Sequence, residues 1–304
     1  MNSITIDAIL KYLGEDVIIS YGFTEGIIIK YLKEPKDVDG YTLDWISSRR
    51  NDKQHIAETS KAKVIIVDET IIYSDLLKQA NKVLLVVKNP KLAIAKIGNH
   101  FFIETPQPGI HNSSIINPNA NISKSAYVGS NVTIGKCTIG NNVTIHPGVI
   151  LYDNVTVGNN VIIHAGAVIG TDGLGCERES DGTLVKFPHL GGVIIEDDVE
   201  IGASCQIAKG AISNTIIGKG AKINVGCYIA HNVKIGKNVW ISAHAKIAGS
   251  TLIKDNSTIF IGASIREHSV IGEGAIIGMA AVVTKNVPAG ETWIGNPARK
   301  LEKR

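Results

Sequence analysis

Residues 217–283 read IGKGAK INVGCY IAHNVK IGKNVW ISAHAK IAGSTL IKDNST IFIGAS IREHSV IGEGAI IGMAAV V, so a branched apolar residue opens every block of six from Ile217 to Val283. Helices repeat near 3.6 residues and strands near 2, so neither explains a period of six. Strict internal repetition points to a solenoid. The fifth place of each block is small or branched, as at Val233, Val239, Ala245, Ala263, Ala275 and Ala281. Glycine or another small residue often follows the first place, as in Ile235-Gly236 and Ile271-Gly272. The pattern predicts a short strand and a turn per block, with places one and five facing an axis. Three such strands close a coil of eighteen residues, and successive coils stack at about 4.8 Å. The expected fold is a parallel β-helix.

The same rhythm extends towards the N-terminus. Ile110, Ile116, Ile122, Val128 and Ile134 lead through a one-residue slip to Ile139, Ile145, Leu151, Val157, Ile163 and Ile169. It stops for TDGLGCERESDGTLVKFPHLGG, resumes at Ile195, Ile201 and Ile207, and slips again before Ile217. Residues 1–104 show no such period. The β-branched runs Val64–Val67 and Val83–Val87 read as buried strands, segments 51–61 and 73–81 as helices, and Asp7 as the cap of a helix ending at Gly14. Strands alternating with helices predict a small α/β domain. The turn-rich stretch Glu104–His111 separates it from a β-helix over 105–290, with a loop insertion at 171–192 and a short basic tail at 291–304.

Composition narrows the function. A net charge of +3 does not indicate nucleic acid or membrane binding. The last twenty residues hold Lys285, Arg299, Lys300, Lys303 and Arg304 against Glu291 and Glu302, which suits either a solvated tail or an anion-binding end. The four cysteines form no C-x-x-C pair, so no zinc knuckle or redox dithiol is indicated; Cys205 and Cys227 fall at fifth places and read as small core residues. MNSITIDAILKYLGEDV lacks the pattern of a secretory signal, and no apolar run reaches the length of a membrane span. A cytoplasmic location is expected.

Eighteen residues per coil make Gly249 the stacked neighbour of His231. An outward imidazole beside a backbone N–H free of any side chain pairs a base with an oxyanion donor, as acyl transfer requires. An ordinary solvated histidine is the other reading. His268 lies on the same face two coils away, about 10 Å along the axis, within reach of a substrate. His146 and His164 also stack, but with no carboxylate or cysteine beside them they make an incomplete metal set. The insertion maps to one face, which in repeat proteins is often the binding face. Asp172-Gly173-Leu174-Gly175 gives it a flexible start, and Lys186-Phe187-Pro188-His189 sets a cation beside an aromatic ring.

These residues resemble a known family. Blocks of the form Ile-Gly-x-x-Val-x mark hexapeptide-repeat acyltransferases, whose fold is a left-handed β-helix working as a homotrimer. The chain is closest in motif to the UDP-3-O-acylglucosamine N-acyltransferases of lipid A synthesis, through Gly170-Thr171-Asp172-Gly173-Leu174-Gly175, Lys186-Phe187-Pro188-His189-Leu190-Gly191, Ile229-Ala230-His231-Asn232-Val233 and Ile247-Ala248-Gly249-Ser250. Val86-Val87-Lys88-Asn89-Pro90 resembles the end of that family's uridine-binding domain.

The resemblance implies His231 as general base and Gly249 as oxyanion donor. It places His268, Asp172, Gly173, Lys186, Phe187, His189 and Asn232 in the substrate and acyl site, with Trp45 stacking on the base of the nucleotide. It implies no metal and no covalently bound cofactor. The donor is an acyl thioester, on acyl carrier protein or coenzyme A, and the acceptor a nucleotide-linked amino sugar. The chain departs from the pattern at Ala208-Lys209-Gly210, where an Asp-Arg-Gly is usual, and at Asn224, where Asp is usual. Around Trp45 it reads Trp45-Ile46-Ser47-Ser48-Arg49-Arg50-Asn51, with one stacking aromatic rather than two. Its ending, Trp293-Ile294-Gly295-Asn296-Pro297-Ala298-Arg299, resembles coenzyme A-dependent sugar acetyltransferases, which makes an acetyl-coenzyme A-dependent N-acetyltransferase the alternative. Two other classes remain: a carbonic anhydrase-like metalloenzyme, which needs an H-x-x-x-x-H pair this chain lacks, and a non-catalytic scaffold.

Overall fold

The computed structural model describes residues 3–302, and the chain divides into two compact units, Met1–Thr105 and Pro106–Arg304. In the first, Val64–Val67 and Val83–Val87 are fully buried strands. They run parallel to each other and to Leu43–Trp45, while Val17–Tyr21 pairs antiparallel with Val83–Val87. Alternate side chains enter separate apolar clusters, Val64, Ile66 and Leu85 in one and Ile65, Leu84 and Val86 in the other. That burial on both faces explains the unbroken apolar runs. Helices Lys53–Thr59 and Asp75–Gln79 fill the two expected windows. The first helix, Ile6–Leu13, is capped by Thr5, whose hydroxyl accepts the Ala8 N–H at 3.2 Å, and not by Asp7. Asp7 sits in the first turn, where a carboxylate complements the helix dipole.

The second unit is a parallel β-helix with three faces. Among the described residues these hold eleven, nine and eight strands, and they start respectively at Gly109–Ile110, Ile115–Ile116 and Asn121–Ile122. First-place residues such as Ile229, Ile247 and Ile265, and fifth-place residues such as Val233, Ala245 and Ala263, are buried along the axis. In the regular part Ile229 pairs with Ile247 and Ile247 with Ile265, a register of eighteen. At Ile134 to Leu151 the step is one residue shorter, which is the first slip. The fourth place turns the corner with positive φ, at Asn232 (59°), Asn238 (52°) and Asn256 (59°) and at Gly220 and Gly226. Asparagine and glycine tolerate that conformation best.

The extra residues all leave one corner, between the second and third faces. The insertion departs after the strand Val168–Thr171 and returns at Val193–Ile195, folding into a hairpin of Cys176–Arg178 with Leu184–Lys186. One coil later, four further residues leave the same corner between Gln206–Ala208 and Thr215–Ile217. The basic C-terminal segment is tied to the coil. Thr292–Ile294 extends the first face and pairs back on Arg299–Lys300, with Lys300 joined to Glu291 at 2.8 Å. The apolar Trp293 packs on the core and holds the segment down. Lys303 and Arg304 lie outside the described residues. Among those described, no helix is long and apolar enough to cross a membrane.

Candidate active site

His231 follows the strand Tyr228–Ile229 and stands on the corner that carries both excursions. It occupies the third place of its block, so its side chain points away from the axis. A Cβ on Gly249, one coil on, would lie 2.8 Å from its Cε1 and 2.9 Å from its Nε2. The expected stack is therefore a true contact, and glycine is required for it. Ala248 and Ser250 donate their N–H groups to Ile265 and His231 carbonyl oxygens, while the Gly249 N–H makes no hydrogen bond among the described residues. The opposite edge of the ring meets the insertion. A Cβ on Gly173 would lie 2.8 Å from His231 Cδ2 and 2.6 Å from His189 Nε2. The His189 and His231 rings stand edge to face, with centroids 5.3 Å apart.

This cradle sets the electrostatics. Burial, then the nearby His189 and His268, lower the His231 pKa from its usual value. The imidazole is thus neutral at neutral pH, the form that accepts a proton. Its Nδ1 is buried without a partner, so Nε2 is the nitrogen on the open side.

Asp172 anchors the mouth of the insertion. It binds Lys186 within the loop and Lys209 from the four-residue excursion, the latter at 2.9 Å. These two lysines hold its carboxyl down at about 2. Sequence reasoning assigns no role to Lys209; the slip between Ile207 and Ile217 was the available signal, because four spare residues must leave the coil somewhere. Their loop also accepts the Leu190 N–H at the Ala211 carbonyl.

The remaining expected residues separate. The Asn232 side-chain oxygen accepts the Ala211 N–H at 2.7 Å, so it ties the excursion to the coil. His268 is exposed and stacks over Ser250 and Asn232 rather than over His231, because it holds a fourth place; Glu267 continues the His231 column. The Phe187 ring is half-exposed, and its carbonyl oxygen accepts from His189 Nδ1 at 3.0 Å. Leu174, Leu190 and Ile212 extend from the same loops and are each more than 70% exposed (81%, 73% and 76%). Trp45 is half-buried in the first unit and packs on its core.

One expectation about the other histidines is corrected. His146 and His164 do stack, with parallel rings 5.0 Å apart, but a carboxylate joins them: Glu200 lies 2.9 Å from His164 Nε2. The insertion separates Glu200 from its stacked strand by a step of 38 residues, which hid the neighbour. Among the described residues, no group of three or more His, Cys, Asp or Glu is placed to hold a metal.

The repeat matches the family model of the bacterial transferase hexapeptide (six repeats) at residues 136–171 and 214–249, and that of the hexapeptide repeat of succinyl-transferase at 192–231. The chain is 35% identical over 179 residues to a UDP-3-O-acylglucosamine N-acyltransferase of Polynucleobacter asymbioticus, covering 51% of this chain and 50% of the relative. It is 34% identical over 212 residues to one of Coxiella burnetii, covering 63% and 60%. With UDP-3-O-acylglucosamine N-acyltransferase 1 of Francisella tularensis subsp. holarctica it shares 37% over 229 residues, covering 67% and 63%. The aligned region thus spans between half and 63% of the length of these curated relatives. Among solved structures, the UDP-N-acetylglucosamine acyltransferase of Francisella novicida aligns at 25% identity and a TM-score of 0.58, covering 63% of this chain and 68% of that one. The enzyme of that name from Campylobacter jejuni aligns at 25% and 0.57, covering 64% and 74%. By its repeat, its coil and these likenesses, the chain carries the bacterial transferase hexapeptide repeat and is similar to the UDP-3-O-acylglucosamine N-acyltransferases.

Proposed function

We propose that the protein is an N-acyltransferase that moves an acyl group from a thioester to the amine of a UDP-linked amino sugar. The observation that carries this reading is the open Nε2 of a neutral His231 beside the unpaired N–H of Gly249. The amine nitrogen attacks the thioester carbonyl, and His231 Nε2 takes the proton that the amine must lose. The carbonyl oxygen becomes an oxyanion, which the Gly249 N–H stabilises. Collapse breaks the carbon–sulfur bond, and the imidazolium returns its proton to the departing thiolate.

The exposed Leu174, Phe187, Leu190 and Ile212 offer apolar surface to an acyl chain. That surface favours a long-chain donor on acyl carrier protein over acetyl-coenzyme A, the alternative that the Trp293–Arg299 ending suggests. Trp45 is assigned to stacking on the nucleotide base, His268 to placing the sugar, and the assembly to a homotrimer. Incubating the protein with acyl carrier protein and coenzyme A thioesters and a panel of UDP-amino sugars tests the reading. Transfer from the long-chain carrier thioester is expected; no turnover with any donor, from protein of verified oligomeric state, would remove it.

A further inference from the structure

Two ring nitrogens are buried without a partner in this unit, His231 Nδ1 and His189 Nε2, and they belong to touching rings. An unsatisfied buried polar atom costs on the order of 1–3 kcal/mol, so two in one cradle call for a common explanation. The tautomer of His189 is fixed by its other nitrogen. Nδ1 faces the Phe187 carbonyl oxygen, which can accept but not donate, so Nδ1 carries the proton and Nε2 is a bare lone pair. That lone pair and His231 Cδ2 both border Gly173, 2.6 and 2.8 Å from where its Cβ would stand. A half-turn of the His231 ring about its Cβ–Cγ bond exchanges Cδ2 with Nδ1 and Cε1 with Nε2, the last two both bordering Gly249, while keeping the ring in its slot between Gly173 and Gly249. This brings Nδ1–H to the side of His189 Nε2, where one bond between them would satisfy both orphan atoms.

We infer that His189 is the positioning residue of the catalytic base: its Nε2 accepts the Nδ1–H of His231 and so keeps the His231 Nε2 lone pair turned to the acceptor amine. The chain Phe187 carbonyl, His189, His231 does the work a carboxylate does in a catalytic triad, where the orienting group fixes tautomer and ring direction. It also gives the insertion a part in the chemistry, since Phe187, His189 and Gly173 all come from it. The absent side chain of Gly173 is what lets the two rings approach. The inference rests on the acyl-transfer reading for its kinetic consequences and on geometry alone for the tautomer.

Long-range proton–nitrogen NMR spectra of the full chain, labelled at histidine and assigned by the loss of signals in His231→Ala, read the tautomer directly. His231 should carry its proton on Nδ1 in the wild type and revert to the Nε2–H form of free imidazole in His189→Phe. A wild-type His231 protonated on Nε2 would overturn the pairing, and this spectrum decides even where the Phe variant does not fold. In turnover, His189→Phe should lower kcat by about 10- to 100-fold with KM unchanged. His189→Gln, whose side-chain oxygen can accept the same proton, should recover most of that loss.

The direction of the pH profile separates pairing from mere proximity. The titratable groups around His231 are His189 from the insertion and Glu267 and His268 from the coils above, with Asp172 held between Lys186 and Lys209 at the loop mouth. Losing an acceptor destabilises the imidazolium, so the acid limb of kcat/KM in His189→Phe should move to lower pH. Movement to higher pH would mean that His189 acts only as a repelling neighbour, and would refute the inference. The Nδ1–H tautomer without any acyl transfer would retain the pair and discard the acyl-transfer reading instead.

Discussion

Two corners of the same β-helix use the same backbone place in opposite ways. At the corner between the third and first faces, the third-place N–H is capped in three coils by a side chain one coil on. Asn159 caps Asn141 at 2.8 Å, Asp197 caps Asn159 at 2.7 Å, and Asp255 caps Lys237 at 2.9 Å. At the corner between the second and third faces, Asp153 still caps Lys136. At His231 and Gly249 the column is different: Gly249 has nothing with which to cap His231, and its own N–H has no partner among the described residues. The repeat supplies identical addresses, and the site arises where the capping side chain is withheld. Both excursions leave the coil at that corner.

The comparison breaks most decisively at His231. His231→Ala should lower kcat/KM by on the order of 10³-fold, while circular dichroism should report an intact β-helix. Retained activity would take the open corner out of the mechanism. Gly249→Ala tests the withheld side chain itself. Its Cβ would press on Cε1 and Nε2 of His231 at distances real Cβ atoms do not show, so the ring must leave its slot. A loss of about 10²-fold in kcat is expected, within the range for removing an oxyanion donor, while circular dichroism should report an intact β-helix. Normal turnover would mean that the close stack has no function.

How much of this was legible follows from the same geometry. Ile229, Ile247 and Ile265 announce the coil because burial along an axis admits only apolar side chains at one fixed period. Gly249 over His231 was legible because the period acts as a ruler. The ruler fails where the count changes. Glu200 beside His164 was missed across a 38-residue step, and Lys209 beside Asp172 across the second slip. Contacts within the insertion, such as His189 against His231, follow no repeat and needed the folded loop. Asn232 was legible as a site neighbour but its turn was not read, although asparagine and glycine at fourth places carry that signal.

The closed corner makes a smaller prediction. Asp255→Ala leaves the Lys237 N–H uncapped on a half-exposed turn, where a hydrogen bond contributes about 1 kcal/mol. Denaturant unfolding should show that loss, with kcat unchanged. A loss of activity equal to that of Gly249→Ala would erase the distinction between the two corners.

The smallest effect concerns how the open corner keeps its loop. Asp172 is bound by Lys186 and Lys209, which hold its pKa at about 2 in the folded chain, against about 3.9 when unfolded. A depressed folded pKa means stability that is fully present above the unfolded value and lost as pH falls through the folded one. The anchor is therefore intact above pH 4 and released between about pH 4 and 2. Both partners are partly exposed, so solvent screens the pair and leaves its contribution under about 1 kcal/mol. Protection against amide hydrogen exchange across 172–190, relative to the intrinsic rate at each pH, should fall over that window, more than in the capped third-to-first corner. Asp172→Asn should already show the lower protection at neutral pH and no further loss of it on acidification. If its exchange matched the wild type at every pH, the two lysine contacts would not be what fastens the insertion over His231.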